Sequence, residues 1–265
     1  MDVAILGASG GLGALVRSRI EARGHRVVAI ARADARDPVA IACTTPSVIV
    51  NCAGASVAMA RGKGWRGYGA VDVPIGLAAV GAAHATGARL VYVGVAHAPE
   101  LATCAYVQAH ERVADAMREL PRATVVRATG FFSAFAAIVP MGRRGRLVDV
   151  GDGARETNPI HEEDLADLVV ETALDPTAPR EIAAGGPDIL TRRQLFEIVA
   201  AAAAKRYARP VKISGVPIWL AATGTLALRC LHPRIGQFAR FAVALARHDN
   251  VAPKLGTSRF ADYLA

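Results

Sequence analysis

A glycine-rich turn near the N-terminus has the residue types and spacing that bind phosphate. The segment Gly7-Ala8-Ser9-Gly10-Gly11-Leu12-Gly13 directly follows the apolar run Val3-Ala4-Ile5-Leu6. In a strand–turn–helix unit the first glycine allows a tight turn, the second lets the backbone approach a pyrophosphate, and the third lets the helix pack against the strand. The first N–H groups of that helix lack intrahelical acceptors and can bind phosphate oxygens. The spacing predicts a dinucleotide-binding cradle; the alternative is a strand–turn–helix that binds nothing.

The elements around this turn have the periodicity that a cradle needs. Leu12, Leu15, Val16 and Ile20 recur at helical spacing, and Gly24 is placed to end the helix. The run Arg26-Val27-Val28-Ala29-Ile30-Ala31 predicts the next strand. We therefore expect a strand, a helix and a second strand within the first 31 residues.

The residue after the second strand bears on the choice of nucleotide. NAD-selective proteins place an acidic residue there for the ribose 2′-hydroxyl, whereas this chain has Arg32. A guanidinium group suits a 2′-phosphate, which Ser9 and Arg32 would share. Because the acidic residue Asp34 lies close to this position in the sequence, NAD(H) remains the alternative cofactor, but the arginine favours NADP(H).

Composition bounds the class of protein. The chain has 265 residues, 52% hydrophobic and 20% charged, with a net charge of +8. These values indicate a globular protein. The sequence has neither a run of about 20 apolar residues, which a membrane span needs, nor a recognisable signal peptide. We therefore expect a cytoplasmic protein. The basic charge lacks a nucleic-acid-binding motif and suits an anionic cofactor. Four scattered cysteines, at 43, 52, 104 and 230, predict buried free thiols rather than disulfides or a metal site.

Alternating strand and helix patterns predict the fold. A short helical stretch follows Pro38, and the strand Ser47–Gly54 ends in small residues; an alanine-rich helix over 71–85 and a strand over 89–93 come next. The residues over 105–119 are helical and those over 124–127 form a strand. Such alternation predicts an α/β, Rossmann-type, doubly wound parallel sheet that binds its ligand at the carboxyl ends of the strands. One parallel strand after the second is compressed or missing.

The regular alternation of strand and helix segments ends at about residue 130, and the residues beyond it predict a smaller C-terminal substrate lobe. We expect a nucleotide-binding domain over residues 1–150 and a substrate or lid lobe over 151–265, partly interleaved with it. Thr191 and Gln194 have capping-box spacing and predict a helix through Ala204. The largely apolar residues 213–231 predict a buried or lid helix; an interfacial or quinone-facing surface is the less favoured alternative.

Several motifs, in chain order, resemble the short-chain dehydrogenase/reductase superfamily and its atypical and extended NmrA-like and epimerase-like members. The resemblance covers residues 1 to about 200. It rests on the cradle, Asn51-Cys52-Ala53-Gly54, Tyr68-Gly69-Ala70-Val71-Asp72, Tyr106, Arg127 with Thr129-Gly130-Phe131-Phe132, and Asn158-Pro159-Ile160-His161-Glu162-Glu163-Asp164-Leu165-Ala166.

The resemblance implies roles for individual residues. Tyr106 would be the catalytic tyrosine and His110, four residues on, would orient the ribose or relay a proton. Phe131 and Phe132 would line the pocket, whereas His161 is interpreted as a structural residue at a helix start. The cofactor contacts would come from the cradle, Arg32, Asp34 beside the adenine with Asp37, Asn51, Ala53, Gly54, Gly94, Tyr106, His110 and Thr129.

Two departures from the family pattern affect the chemistry. Gly94 and Val95 stand where the family has a hydroxyl residue, and His110 replaces the family lysine. A mostly neutral histidine assists a tyrosine of ordinary pKa near 10 far less than an ammonium group does.

The resemblance implies an NAD(P)H-dependent oxidoreductase that transfers hydride to a small organic acceptor: a carbonyl, an enone or a quinone. Because the family hydroxyl and lysine are missing, acceptors that need less acid assistance, such as a quinone, a flavin-like ring or an activated enone, are favoured over a plain carbonyl. The alternative is an NAD(P)-binding redox sensor or assembly protein without turnover, and a nucleotide-sugar epimerase or dehydratase is the least favoured reading. Homodimers through the helices around Val71 and Ala105 are usual in this superfamily.

Overall fold

A six-stranded parallel sheet forms the centre of the molecule. The computed structural model describes residues 1–55 and 66–265, except for the side chains at 226, 227 and 229–231. The strands of the sheet are β1 (Asp2–Leu6), β2 (Arg26–Ile30), β3 (Val48–Asn51), β4 (Arg89–Val95), β5 (Ala123–Ala128) and β8 (Glu181–Ala184). Their order is β2-β1-β3-β4-β5-β8, and every pair is parallel. Within the described residues β2 is an edge strand, as expected if the next parallel strand is missing.

Helices cover both faces of this sheet. One face packs against α1 (Gly11–Ala22) and α6 (Glu162–Leu174). The other face packs against α2 (Pro38–Ala42), α3 (Tyr68–Thr86) and α4 (Ala105–Ala116). The central strands β1, β3, β4 and β5 are largely buried and mainly apolar, which explains why the sequence predicts them; the edge strand β8 is not among the predicted strands. The predicted doubly wound α/β fold is confirmed.

The remaining α-helices and strands lie outside these layers. They are α5 (Phe132–Ala136), β6 (Arg146–Val150), β7 (Glu156–Thr157), β9 (Leu190–Thr191), α7 (Arg192–Tyr207), β10 (Lys212–Val216), α8 (Ile218–Leu231), α9 (Pro233–Leu245) and α10 (Phe260–Leu264). A second apolar core forms among α5, β6, α7, β10 and α10, whereas α9 packs against α4. Strand β6 pairs with β10 in parallel, and β7 pairs with β9 antiparallel. The domain boundary at residue 150 stays a prediction, and both α6 and β8 belong to the layers of the large sheet.

Two local signals in this part of the chain have the predicted structures. Thr191 and Gln194 form the expected capping box at the start of α7. His161 caps α6, where its Nδ1 accepts a hydrogen bond from the Glu163 N–H at 3.1 Å. The structural interpretation of His161 is therefore confirmed.

Other expectations need correction. Residues 213–216 belong to strand β10 rather than to a helix, because pairing with the distant β6 decides their conformation. The helix that follows is not buried throughout, since Trp219 is 68% exposed. Phe132 does not line a pocket but packs in the second core against Phe260. Cys43 is exposed, Cys104 is buried and Cys52 is partly buried, whereas the Cys230 side chain lies outside the described residues.

Two polar side chains, buried Asn158 and half-buried Asp164, hydrogen-bond the C-terminal segment to the rest of the protein. Asn158 donates to the carbonyls of Gly186 and Ala252 and accepts from the Ala252 N–H. Asp164 accepts from the backbone N–H groups and hydroxyls of Thr257 and Ser258. In the described parts of the chain, no helix is both long and apolar enough to cross a bilayer.

Candidate functional site

The glycine turn has the backbone geometry of a cradle. Gly7 adopts φ +80°, a left-handed conformation that favours glycine, and a Cβ there would lie 2.8 Å from the Ala53 Cα. A Cβ on Gly13 would lie 2.1 Å from the Gly7 carbonyl oxygen. These two glycines therefore let β1, the neighbouring turn after β3, and α1 approach one another closely.

The N-terminus of α1 is open. Gly10 is its N-cap, no side chain caps it, and its first turn contains no acidic residue. Ser9, Gly10 and Gly11 are exposed, and a Cβ on Gly11 would meet nothing within 4 Å. The Leu12 side chain packs into the core, so only its backbone faces the turn. The N–H groups at the start of this helix can therefore bind an anion.

The residues after β2 lie at the same edge of the sheet as the cradle. Ile30, the last residue of β2, is in register with Leu6, the last residue of β1. Arg32 follows it and is exposed. Asp34 lies in the next turn, where its N–H donates to the Ala31 carbonyl at 3.0 Å, and the Asp37 side chain caps α2. Arg32 and Asp34 are thus both accessible beside the glycine turn.

The other predicted cofactor residues lie at or just after the carboxyl ends of β3, β4 and β5. Buried Asn51 accepts a hydrogen bond from the Ala53 N–H at 3.0 Å and so shapes the turn that leads to Gly54. Gly94 lies near the end of β4, where a Cβ would be 3.2 Å from Val125 Cγ1.

Thr129 follows β5, and its buried hydroxyl donates to the Asn158 carbonyl at 2.7 Å. All these residues cluster at the carboxyl ends of the strands. Their contact with a cofactor stays a prediction.

Tyr106 and His110 lie together one turn apart on α4. Their rings are 4.8 Å apart between centroids. A 2.6 Å hydrogen bond joins the His110 Nδ1 to the hydroxyl of Tyr92 on β4. Burial lowers the pKa of His110 to about 4, because a charged imidazolium loses its hydration there. His110 is thus neutral at physiological pH and cannot supply the positive charge of a lysine.

Aromatic side chains surround Tyr106. The Tyr68 ring is 4.9 Å away edge-on, and the Phe241 ring of α9 is 5.0 Å away. Phe238 of α9 packs against the same group. Burial raises the pKa of Tyr106, and the Tyr68 and Asp72 side chains raise it further. The hydroxyl therefore remains protonated and can only be an acid in its ground state.

The sequence reasoning assigned no role to Asp72, which the structure brings to this cluster. Its carboxylate is only 3% exposed, and Oδ1 accepts the Ala55 N–H at 2.6 Å. Burial raises the pKa of Asp72 to about 6, against smaller opposite effects of that hydrogen bond and of Arg234. The signal in the sequence is the spacing of Tyr68 and Asp72, which places both on one face of a helix directly after the turn.

Two hydrogen bonds join α9 to the start of α3 and place α9 beside Tyr106. The Gln237 side chain accepts a hydrogen bond from the Tyr68 N–H at 3.0 Å. Arg234 Nε donates to the Arg66 carbonyl at 3.0 Å. These contacts hold Phe238 and Phe241 against Tyr106, so α9 forms one side of the candidate site.

Arg127 links α4 to the sheet instead of facing the site with a free charge. Its guanidinium pairs with Glu111 of α4 and with Glu181 of β8. Neighbouring His97 lies 3.3 Å from the same Glu111 carboxylate. No group of three His, Cys, Asp or Glu side chains is arranged to hold a metal ion within residues 1–55 and 66–265.

Comparison with known proteins identifies the fold. No family model matches the chain, and no curated protein matches it. Many solved structures are similar. A nucleoside-diphosphate-sugar epimerase from Staphylococcus aureus matches with a TM-score of 0.67 and 15% identity, over 93% of this chain and 90% of the epimerase.

Two enzymes solved with NADP are also similar. The dTDP-4-dehydrorhamnose reductase from Bacillus anthracis has a TM-score of 0.63 and 14% identity over 82% of this chain and 84% of its own. A GDP-mannoheptose C4 reductase from Campylobacter jejuni has a TM-score of 0.60 and 14% identity over 82% and 87%. At this level of identity the likeness establishes architecture alone: the chain has the Rossmann-type fold of nucleotide-sugar epimerases and reductases.

Proposed function

We propose that this protein is an NADP(H)-dependent oxidoreductase of the atypical short-chain dehydrogenase/reductase type, which reduces a small organic acceptor. The observation that carries the proposal is the cradle itself, formed by the Gly7 backbone, the close approach at Gly13 and the uncapped start of α1. The cradle lies at the carboxyl ends of the strands, and α4, which carries Tyr106 in its first turn, follows β4 at that side of the sheet. Ligands of doubly wound sheets bind at those ends. The two reductases of the same fold that were solved with NADP support the same cofactor class.

The residues of this chain fit NADP(H) in two places. The N–H groups at the start of α1 would hold the pyrophosphate, and exposed Arg32 would bind the 2′-phosphate of the adenine ribose together with Ser9. When bound, the cofactor supplies hydride for the reduction. The chain has to orient the acceptor, exclude water and provide a proton.

Tyr106 is the proton donor in this proposal. Its raised pKa keeps the hydroxyl protonated, and neutral His110 beside it adds no charge that would favour the phenolate. The site is therefore a weaker acid than one with a lysine. Acceptors that need little acid assistance, such as enones and quinones, suit it better than plain carbonyls.

The walls of the site favour an apolar acceptor. Tyr68, Phe238 and Phe241 pack around Tyr106, and flat conjugated molecules stack well on such rings. Sugar rings instead need many hydrogen-bond partners. Although the similar structures include sugar-nucleotide enzymes, we propose a conjugated carbonyl or quinone as the acceptor class.

Titration calorimetry with NADPH and NADH tests the cofactor. We expect micromolar binding of NADPH and at least about tenfold weaker binding by Arg32→Asp, because a charge-assisted contact contributes about 1.5 kcal/mol or more. Arg36→Asp is the matched control, since it makes the same charge change at an exposed residue of the same turn. Failure of the wild type to bind either nucleotide would refute the proposal.

Turnover with a panel of enones and quinones tests the chemistry. Tyr106→Phe keeps the ring in its aromatic cluster, so NADPH should still bind while oxidation of NADPH falls about 100-fold or more. Tight NADPH binding without oxidation by any acceptor would instead indicate a redox sensor or assembly protein.

A further inference from the structure

A hydrogen bond between β4 and α4 holds the ring of His110 in place. Tyr92 lies on β4 in register with Asn51, the last residue of β3, and its hydroxyl oxygen is 2.6 Å from the His110 Nδ1. The two rings are stacked, with 5.8 Å between their centroids. Only 2% of Tyr92 and 8% of His110 are exposed, so water has little access to this bond. The pair is therefore a fixed unit at the carboxyl end of β3.

The donors and acceptors of this pair allow one position for the imidazole proton. His110 is neutral at pH 7, because burial lowers its pKa to about 4, so one ring nitrogen carries a proton and the other accepts. Burial raises the pKa of Tyr92 well above its usual value, so its hydroxyl keeps its proton. If Nδ1 donated to Tyr92, that hydroxyl proton would have no acceptor, since Tyr92 has no other side-chain partner in the part of the chain that the structure describes. A buried donor without an acceptor is costly, so the hydroxyl donates to Nδ1 and the imidazole proton lies on Nε2.

The second ring nitrogen is open to a ligand. Nε2 makes no hydrogen bond to any residue that the structure describes. It is not among the polar side-chain atoms there that are fully buried without a partner, so it reaches the surface. The Tyr106 ring meets His110 edge-on, with 4.8 Å between centroids. The open N–H group therefore belongs to the same cluster as the proposed proton donor.

We propose that Tyr92 is a positioning residue that fixes His110 as the Nε2–H tautomer, so that the ring donates a hydrogen bond to an uncharged oxygen of a bound ligand. The inference rests on the proposed function, because that oxygen is a ribose hydroxyl of NADP(H) or the carbonyl oxygen of the acceptor. Tyr92 itself does not touch the ligand. A donor that is oriented before the ligand arrives loses little freedom on binding, which favours a fixed ring over a mobile one.

The tautomer can be measured without cofactor or turnover, by nitrogen-15 NMR of the histidine rings. In wild type at pH 7, His110 Nδ1 should have the shift of an unprotonated ring nitrogen and Nε2 the shift of an N–H nitrogen. His110→Gln removes these two signals and so assigns them. In Tyr92→Phe the two shifts should move towards each other, because nothing then prevents exchange between the tautomers.

Tyr68→Phe is the matched control for this spectrum. It also deletes a buried tyrosine hydroxyl, but one that has no hydrogen-bond partner in the described part of the chain, so the His110 shifts should keep their wild-type values. A wild-type spectrum in which Nδ1 carries the proton would overturn the proposal. A Tyr92→Phe protein that circular dichroism shows to be folded, with both shifts at their wild-type values, would overturn it as well.

Ligand titrations identify the oxygen that the Nε2–H group meets. A change in the Nε2 shift on addition of NADPH alone assigns a ribose hydroxyl. A change that requires NADP⁺ and a quinone together assigns the carbonyl oxygen of the acceptor. If neither addition changes the Nε2 shift in a protein that binds NADPH, the donor role of His110 is wrong.

Substitutions test the same role by turnover, with NADPH and quinone both below their KM. Tyr92→Phe should slow NADPH oxidation about threefold to tenfold, the loss expected for one neutral hydrogen bond, whereas Tyr263→Phe removes an exposed hydroxyl on α10 and should keep the wild-type rate. The glutamine amide lies near the Nε2 position and the asparagine amide near Nδ1, so His110→Gln should be faster than His110→Asn. Equal rates for these two variants would contradict a donor at Nε2.

Failure of this inference can be told apart from failure of the proposed function. If wild type oxidises NADPH and Tyr92→Phe keeps both the wild-type rate and the wild-type shifts, the positioning role is refuted and the oxidoreductase remains. If wild type binds neither nucleotide although the ring is fixed as the Nε2–H tautomer, the oxidoreductase is refuted and the donor role with it.

Discussion

Asp72→Asn should change how the stability of the folded protein depends on pH. The pKa of Asp72 rises from 3.8 in an ordinary setting to about 6 in the fold, so the folded state holds this proton more tightly than the unfolded state. The stabilisation from that proton is complete below the unfolded pKa of 3.8. It is lost as pH rises through the folded pKa of about 6.

The magnitude follows from the two pKa values. Each pKa unit corresponds to about 1.4 kcal/mol, and binding is incomplete between the two values. Asp72 should therefore lower the free energy of unfolding by about 1 kcal/mol between pH 5 and pH 7, and by about 2 kcal/mol between pH 4 and pH 7. The asparagine variant lacks this loss and should gain that much stability relative to wild type as pH rises.

Urea unfolding of both proteins at several pH values measures this difference. Carboxylates with lowered pKa values, such as Asp164 and Glu111, give an opposite pH dependence, but it cancels because both proteins contain them. Asp115→Asn makes the same substitution at an exposed position and is the control. A difference between Asp72→Asn and wild type that does not vary with pH would refute the assignment of a raised pKa to Asp72.

Two further substitutions test the packing of the cradle and the hydrogen bonds that Asp164 makes to the C-terminal segment. Gly13→Ala should lower Tm and abolish NADPH binding, because the new Cβ would lie 2.1 Å from the Gly7 carbonyl oxygen. Gly11→Ala is the control: its Cβ would meet open space, so Tm should stay within a few degrees of the wild-type value. Equal Tm values for the two variants would contradict the packing argument. Asp164→Asn should cost about 1–3 kcal/mol and speed hydrogen exchange over residues 257–258, whose backbone N–H groups the carboxylate accepts. Unchanged exchange there would show that this carboxylate does not hold the segment.

The sequence alone determined the first five strands of the sheet and the cradle, but it did not predict β8. These strands are mainly apolar runs, which are local patterns. The glycine turn is local as well, because Gly7 and Gly13 have the spacing that a tight turn and a close helix–strand contact need. The caps at His161 and Thr191 are local as well, since a capping side chain bonds within three residues. Such features do not depend on what the rest of the chain does.

The tertiary structure decided which side chains meet at the site. Strand β10 exists because it pairs with β6, more than sixty residues earlier, and Phe132 is a core residue because α10 covers it. Asp72 has an ordinary pKa in any isolated helix and a raised one only where α3, α4 and β4 exclude water around it. His110 likewise becomes neutral through burial against Tyr92. Desolvation and long-range pairing are properties of the packed chain, and no local pattern encodes them.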